Sequence, residues 1–479
     1  MESIWMKEVQ IPPRPQLEGD LRADVCVIGA GLAGVNCAYR LAQAGLRVVV
    51  LEAARIGAGT TARTTAKITA QHDLIYDALA RSFDADTARI YAKANTDAIE
   101  DYAQIIDREG IDCNFARADH LVYALRDASA LESEHRAMRD AGLNAYLTDR
   151  TELPFSVAGA VGLRDQAHIH PLKFLGALAE KLEIYEQSRA IDVGKGIVCT
   201  PGGSVRAAHI VVATRFPFIN APGYYFLRMH QERSYAAALT GAPAIKHMYI
   251  DMADGGLSIR PYAGMMILGA GSHRTGENPG GQYEKLSRAM GAHFPGAQAA
   301  ATWSAQDCVT QDRLPLIGRY AGRTDELYVL TGFAKWGLTT AMAGAKVVED
   351  LILGRESDAA RIFAPARSIV KGAKGMADDI KASVKGFAKR ILPPEGLLND
   401  LAPGEAREIA HAGEKLGAYR DEAGQVHIVS LVCPHLGCAL SWNADDLSWD
   451  CPCHGSRFDI RGALLDGPSQ RGIDKEDAT

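Results

Sequence analysis

The chain has 479 residues, 47% apolar and 23% charged, with a formal net charge of −6. That length is too great for one compact core and implies two or three domains, and the slight acidity excludes the basic footprint of a nucleic-acid binder. No apolar run approaches the roughly 18–20 residues of a membrane-spanning helix. The N-terminus lacks a basic region followed by an apolar one, so a cytoplasmic protein without an integral membrane segment is expected.

Residues 24–52 predict strand, turn, helix and strand. DVCVIGAG is a buried apolar run, LAGVNCAYRLAQA has helical spacing, Gly45 ends the helix, and LRVVVLE is a second buried strand. Such a βαβ unit belongs in a parallel sheet. Its turn, Gly29-Ala30-Gly31-Leu32-Ala33-Gly34, matches G-x-G-x-x-G, and Glu52 ends the next strand 18 residues after Gly34. Gly29 allows the tight turn, Gly31 lets a pyrophosphate approach the helix N-terminus, and Gly34 permits close helix–strand packing. Glu52 can accept hydrogen bonds from ribose hydroxyls. These parts fit either a flavin or a nicotinamide dinucleotide.

Residues 84–144 read as mainly helical, interrupted by the strand HLVYAL at 120–125, and 170–182 is a helix. AHIVVAT is another buried strand, 223–275 is β-rich, and ELYVLTG with 336–354 repeats the strand–turn–helix pattern. In 366–391, Ile369, Met376, Ile380, Val384, Phe387 and Ile391 recur every three or four residues, with six Lys or Arg on other faces from Lys371 on. This predicts a basic amphipathic linker helix, docked on its own protein in preference to a membrane. Pro393-Pro394 then marks a domain boundary.

Nine cysteines divide into two sets. Cys26, Cys37, Cys113, Cys199 and Cys308 stand among apolar neighbours and read as buried thiols. Cys433, Cys438, Cys451 and Cys453 fall within 21 residues, a cluster that in a reducing compartment points to metal. Cys433-Pro-His435 and Cys451-Pro-Cys-His454 are separated by 15 residues between His435 and Cys451. Two thiolates and two imidazoles at this spacing are the ligand set of a Rieske [2Fe–2S] centre; a Cys/His zinc site is the competing reading.

Two family resemblances follow. GDLRADVCVIGAGLAG, VVVLEAARIGAGTTARTTAK, TQDRLPLIG (310–318) and TGFAKWGLT (331–339) resemble the D-amino-acid-oxidase-like group of FAD-dependent oxidoreductases over roughly residues 1–365. This implies an α/β FAD-binding, Rossmann-like domain with an inserted α+β substrate domain. The expected FAD-binding segments are 1–75, 150–215 and 306–365, and those of the substrate domain 76–149 and 216–305. The resemblance places Arg55, Thr61, Thr64, Thr65 and Lys67 along the flavin's phosphates and ring edge. It brings Gly332, Gly337, Leu338 and Thr339 to the turn that closes over the ring. Where amino-acid-oxidising members carry an arginine for the substrate carboxylate, this chain has Asp307, which would attract an ammonium instead. His72, His230, Arg260, Asp307, Lys335 and Trp336 are the candidate catalytic residues, Arg260 as an alternative carboxylate grip.

The C-terminal motifs resemble the Rieske protein of cytochrome bc-type complexes, which implies a small all-β domain after the 366–395 linker, at 396–479. By that resemblance Cys438 and Cys453 form a disulfide bracing the loops, Gly467-Pro468 covers the cluster, and Ser456 donates to a cluster sulfide. Phe458 stands where that group often has tyrosine, which implies a lower potential. Together the halves imply a relay in which an amine or amino-acid-like small molecule reduces FAD and FAD reduces the cluster. An external one-electron acceptor would then take electrons at an exposed histidine edge. A Rieske/flavin electron-transfer reductase and a non-catalytic flavin–cluster redox sensor are the alternatives; a ring-hydroxylating oxygenase is disfavoured by the flavin fingerprint.

Overall fold

In a computed structural model, residues 1–322, 324–367, 381, 384–390, 396, 401–411 and 414–476 are described. Most of the expected 366–391 helix and the Pro-Pro break behind it lie outside the described residues. Residues 384–389 are helical, and Gly386 packs so closely on Cys453 that a Cβ there would lie 2.9 Å from its sulfur.

Strand Gly19–Ile28 runs parallel to Gly203–Arg215 on one side and to Val48–Leu51 on the other. Leu327–Thr331 and Glu183–Tyr185 extend the sheet in parallel on its two sides, and Leu316–Arg319 adds an antiparallel edge strand beside Leu327–Thr331. Val25, Val27, Val49, Val50, Val211 and Val212 are buried, as β-branched residues are in a parallel sheet covered on both faces. Helices Leu32–Gln43 and Gly337–Ile352 pack on each other over this sheet, so the glycine turns at their N-termini lie side by side at the carboxyl ends of the strands. In an open α/β sheet that is where ligands bind.

A second, mixed sheet has nine strands among the described residues, with Met229–Thr240 and Gln298–Thr310 paired antiparallel along one edge. Strand Gly159–His168, which the sequence reading assigns to the FAD-binding half, pairs with Ala116–Ala124 in this sheet. The exposed pair Arg164 and Asp165 divides its buried positions into two runs, unlike the continuous apolar run of a central parallel strand. The helix Ala85–Glu109 is fixed at both ends. Asp84 accepts a hydrogen bond from the amide of Thr87 at 2.7 Å, and Gly110 ends it in the left-handed region.

The C-terminal domain consists of two four-stranded sheets with Leu440, Trp449 and Phe458 buried between them. It packs directly against the flavin-binding half.

Candidate flavin and cluster sites

The dinucleotide cradle is built from close backbone approaches. Gly29 has φ +107°, and a Cβ there would lie 2.6 Å from the carbonyl oxygen of Ala213. A Cβ on Gly34 would lie 1.8 Å from the carbonyl oxygen of Gly29, so the helix can cross the strand only with glycine at that position. Gly31 begins the helix, and the Thr61 hydroxyl accepts a hydrogen bond from the Leu32 amide at 3.1 Å. Glu52 accepts from the amides of Ala30 and Ala54, both at 2.8 Å. Burial pushes its carboxyl up, against the pull of these two amides.

A cavity of about 1080 Å³ runs from Gly29, Gly31 and Glu52 to Trp336. Thr61, Thr64, Thr65, Lys67, Gly332, Gly337 and Leu338 line it, as do His72, Asp307, Lys335 and Trp336 from the candidate catalytic set. His72 is buried and its pKa is pushed down to about 3, so it is neutral. Its Nδ1 lies 2.5 Å from the Tyr91 hydroxyl, its Nε2 2.7 Å from the Thr69 carbonyl, and its ring stacks on Trp336 at 4.9 Å. Burial brings Lys67 down to about 7, while its Nζ donates to the Tyr249 carbonyl at 2.6 Å.

Other expected residues lie elsewhere. Arg55 pairs with Glu186 at 3.2 Å and donates to the Ile11 carbonyl at 2.7 Å. The Thr339 hydroxyl donates to the Thr69 carbonyl at 2.9 Å behind the cavity wall, and Gly34 is consumed in helix–strand packing. Arg260 is fully buried beneath the rings of Trp5 and Tyr262 and donates to the backbone carbonyls of Thr65, Pro261 and Ile169. Arg260 is therefore turned towards the backbone and does not line the cavity, so it is not placed to grip a substrate there. His230 also lies outside the cavity wall; its Nε2 meets Glu232 at 3.2 Å, and it is Glu232 that faces the cavity.

Glu232 is a charged residue of the cavity wall absent from the sequence-based candidates. Burial would raise its carboxyl, but the hydrogen bond with His230 and the charge of Lys335 outweigh that and hold it well below the usual range. Lys335 and its neighbour Ala334 both have positive φ, 74° and 48°, an uncommon pair for residues with side chains. This backbone aims Lys335 at Glu232 and Ser272, each 2.6 Å away.

The two cluster loops are near copies. Gly437 N–H donates to Cys433 O and Gly455 N–H to Cys451 O, both at 2.9 Å, with φ +80° and +79° at the glycines. The turns bring the Cys433 and Cys451 thiols into hydrogen-bond contact. The Cys433 thiol is held below its usual range, first by the Cys451 thiol and also by the Ser456 hydroxyl and the amides of His435 and Leu436. Cys438 and Cys453 are joined in a disulfide. His435 and His454 rings stand 4.9 Å apart, and His435 Nδ1 is buried without a partner among the described residues. Two thiols ringed by donors and two facing imidazoles, one with an orphaned buried nitrogen, fit the donor set of a Rieske [2Fe–2S] cluster.

The histidine edge is not open to solvent as expected. His454 is only 5% exposed. It packs edge-on against Phe216 and Phe226 of the flavin half, while His435 is half-buried with Nε2 3.1 Å from Asn220 Oδ1. Around this contact Arg215 pairs with Asp466, Arg233 with Asp446, and Ser304 donates to Asp446 at 2.7 Å. Asp446, Arg457 and residues 464–470 also form part of the flavin cavity wall, so the cavity belongs to both domains.

The chain belongs to the FAD dependent oxidoreductase family, whose model matches residues 24–351, and carries a Rieske [2Fe-2S] domain at residues 394–475. The first domain binds FAD and the second a [2Fe–2S] cluster. Along nearly its whole length it is similar to the putative Rieske 2Fe-2S iron-sulfur protein YhfW of Bacillus subtilis. The two are 34% identical, covering 99% of this chain and 97% of that one. The gamma-glutamylputrescine oxidoreductase of Escherichia coli is 30% identical over 42% of this chain and 51% of its own. Among solved structures, glycine oxidase from Geobacillus kaustophilus shares the fold. Its TM-score is 0.62 at 19% identity, covering 73% of this chain and 100% of that one. No helix among the described residues is long and apolar enough to cross a membrane.

Proposed function

We propose that this oxidoreductase is a dehydrogenase that oxidises a carbon–nitrogen bond in an amine or amino-acid-like substrate and passes the electrons singly through the cluster to an external acceptor. The observation that carries this reading is the shared cavity: Gly467-Pro468, expected to cover the cluster, also line the flavin site. FAD, when bound, takes up a hydride and can release its electrons one at a time, which suits a one-electron cluster beside it.

The cavity's residues favour a cationic substrate. Lys335 already neutralises Glu232, whereas Asp307 makes no ion pair among the described residues and can receive an ammonium. His72, neutral and stacked on Trp336, fixes that ring at the end of the cavity. The kinship with gamma-glutamylputrescine oxidoreductase and the fold of glycine oxidase support C–N chemistry. Electrons would leave at His435, the less buried of the two ligands, beside the exposed Leu436.

The test is an anaerobic titration with amines, polyamines and amino acids, following flavin absorbance and the electron paramagnetic resonance of the reduced cluster. Bleaching by one compound followed by the Rieske signal is expected. A signal obtained only with NADH would replace this reading with that of a reductase.

A further inference from the structure

Two buried glutamines connect the flavin cavity to the cluster ligands. Gln306, on strand Gln298–Thr310, lines the cavity, and its Nε2 donates to the carbonyl of Gly455 at 2.7 Å and to Oε1 of Gln231 at 2.8 Å. Gln231, on the adjacent strand Met229–Thr240, donates through its own Nε2 to the carbonyls of His454 at 2.6 Å and Gly467 at 3.0 Å. Gln231 is 0% and Gln306 2% exposed. The fit leaves no slack: a Cβ on Gly455 would lie 2.7 Å from Cβ of Gln231. A buried amide has a high desolvation cost unless all its groups are paired, and these two pair with each other, with the Cys451 loop at His454 and Gly455, and with Gly467.

We propose that Gln231 and Gln306 are positioning residues for electron transfer between the cofactors. They clamp the His454 carbonyl and the Gly467 loop at a fixed distance from the flavin cavity. This rests on the relay reading above. In each transfer one electron leaves the reduced flavin and reduces one ferric iron to ferrous. The external one-electron acceptor reoxidises the iron before the second transfer, and the flavin's proton passes to solvent. The glutamines move no electron or proton themselves. They hold the ligand loop where the transfer is fast, as supporting residues hold a metal site.

The experiment uses full-length holoprotein and needs no substrate: the bound flavin is photoreduced with light and EDTA, and cluster reduction is followed by absorbance and paramagnetic resonance. The variants are Q306M and Q231M, which keep length but remove the donors, and their double. Q231N, a milder change, serves if Q231M fails to load iron. Flavin photoreduction and the dithionite-reduced cluster spectrum are expected to be unchanged. The flavin-to-cluster step should slow roughly tenfold or more, the scale set by losing two buried hydrogen bonds. Deuterium uptake in 453–456 and 467–469 should rise together with it. Wild-type transfer rates and wild-type exchange in an iron-replete double variant would overturn the clamp alone. Absence of transfer in the unmodified protein, with dithionite still giving the Rieske signal, would overturn the relay and the clamp with it.

Discussion

Lys335 Nζ stands 2.6 Å from a carboxylate oxygen of Glu232 inside the flavin cavity, and His230 meets the other oxygen at 3.2 Å. Burial opposes ionisation of Glu232, and the hydrogen bond with His230 and the charge of Lys335 more than offset it, so the folded-state pKa is depressed. A depressed carboxylate contributes stability above its unfolded value, about 4.3, and loses it as pH falls towards the folded value. Glu232→Gln should therefore destabilise the protein by about 1–3 kcal/mol at neutral pH, allowing for partial solvent screening. The difference from wild type should shrink below about pH 4.5. Thermal midpoints measured between pH 4 and 7 check this; a difference that ignores pH would mean the ion pair is not its source.

Asp307 faces the same cavity, and burial pushes its carboxyl above the usual range against the pull of Lys335 and Arg215. If it receives the substrate ammonium, KM for cationic amines should rise as pH falls through that raised value, because the carboxylate is then lost. Asp307→Asn should remove this acid limb and raise KM about tenfold or more, the worth of one charge-assisted hydrogen bond. Steady-state kinetics of both proteins from acid to neutral pH provide the comparison. An unchanged KM in the variant would remove Asp307 from substrate recognition.

What was legible in the sequence was what is local in it. Gly29, Gly31, Gly34 and Glu52 lie within one βαβ unit, and each cluster loop supplies its Cys and His within a few residues, so spacing alone exposes them. Gln231 and Gln306 carry no such signal. Each is a single polar residue on a strand, and only antiparallel pairing of those strands and docking of a domain more than a hundred residues later bring them to His454 and Gly455. Arg260 misleads for the same reason, since a buried polar pillar and a substrate grip look alike until Trp5 and Tyr262 are seen enclosing it. Choosing His230 came close: its side chain faces Glu232, which is the residue on the cavity side. The exposed histidine edge was inferred from the motif alone, whereas the flavin half supplies Phe216, Phe226 and Asn220 to cover it.

With Cys433 as a cluster ligand, the hydrogen bonds around it would tune the cluster's potential. Ser456 reaches Cys433 with its hydroxyl, which also accepts from the Ser469 amide at 3.0 Å, while Phe458 in the same core offers no donor. Ser456→Ala should lower the midpoint potential by about 40 mV, the one-electron equivalent of a hydrogen bond worth about 1 kcal/mol. Phe458→Tyr should shift it upward. Protein-film voltammetry resolves both, and a Ser456→Ala potential equal to wild type would show that the hydroxyl does not stabilise the reduced cluster.

Cys451→Ser tests whether the two halves of the shared cavity can be separated. Cys451 lies in the core of the C-terminal domain and touches none of the glycine cradle, so FAD stoichiometry should stay at the wild-type level while bound iron is lost. Cluster binding is also folding energy for the loops that hold it. Without it the His454 and Gly467 carbonyls are no longer presented to Gln231, and the 464–470 wall of the cavity should loosen. Limited proteolysis is expected to cut the variant within that wall, and flavin fluorescence, exposed on that side, to rise. Iron loss with the wall still protected would instead mean that the salt bridges Arg215–Asp466 and Arg233–Asp446 hold the domains together without the cluster. In that case the shared cavity is a property of the polypeptide alone.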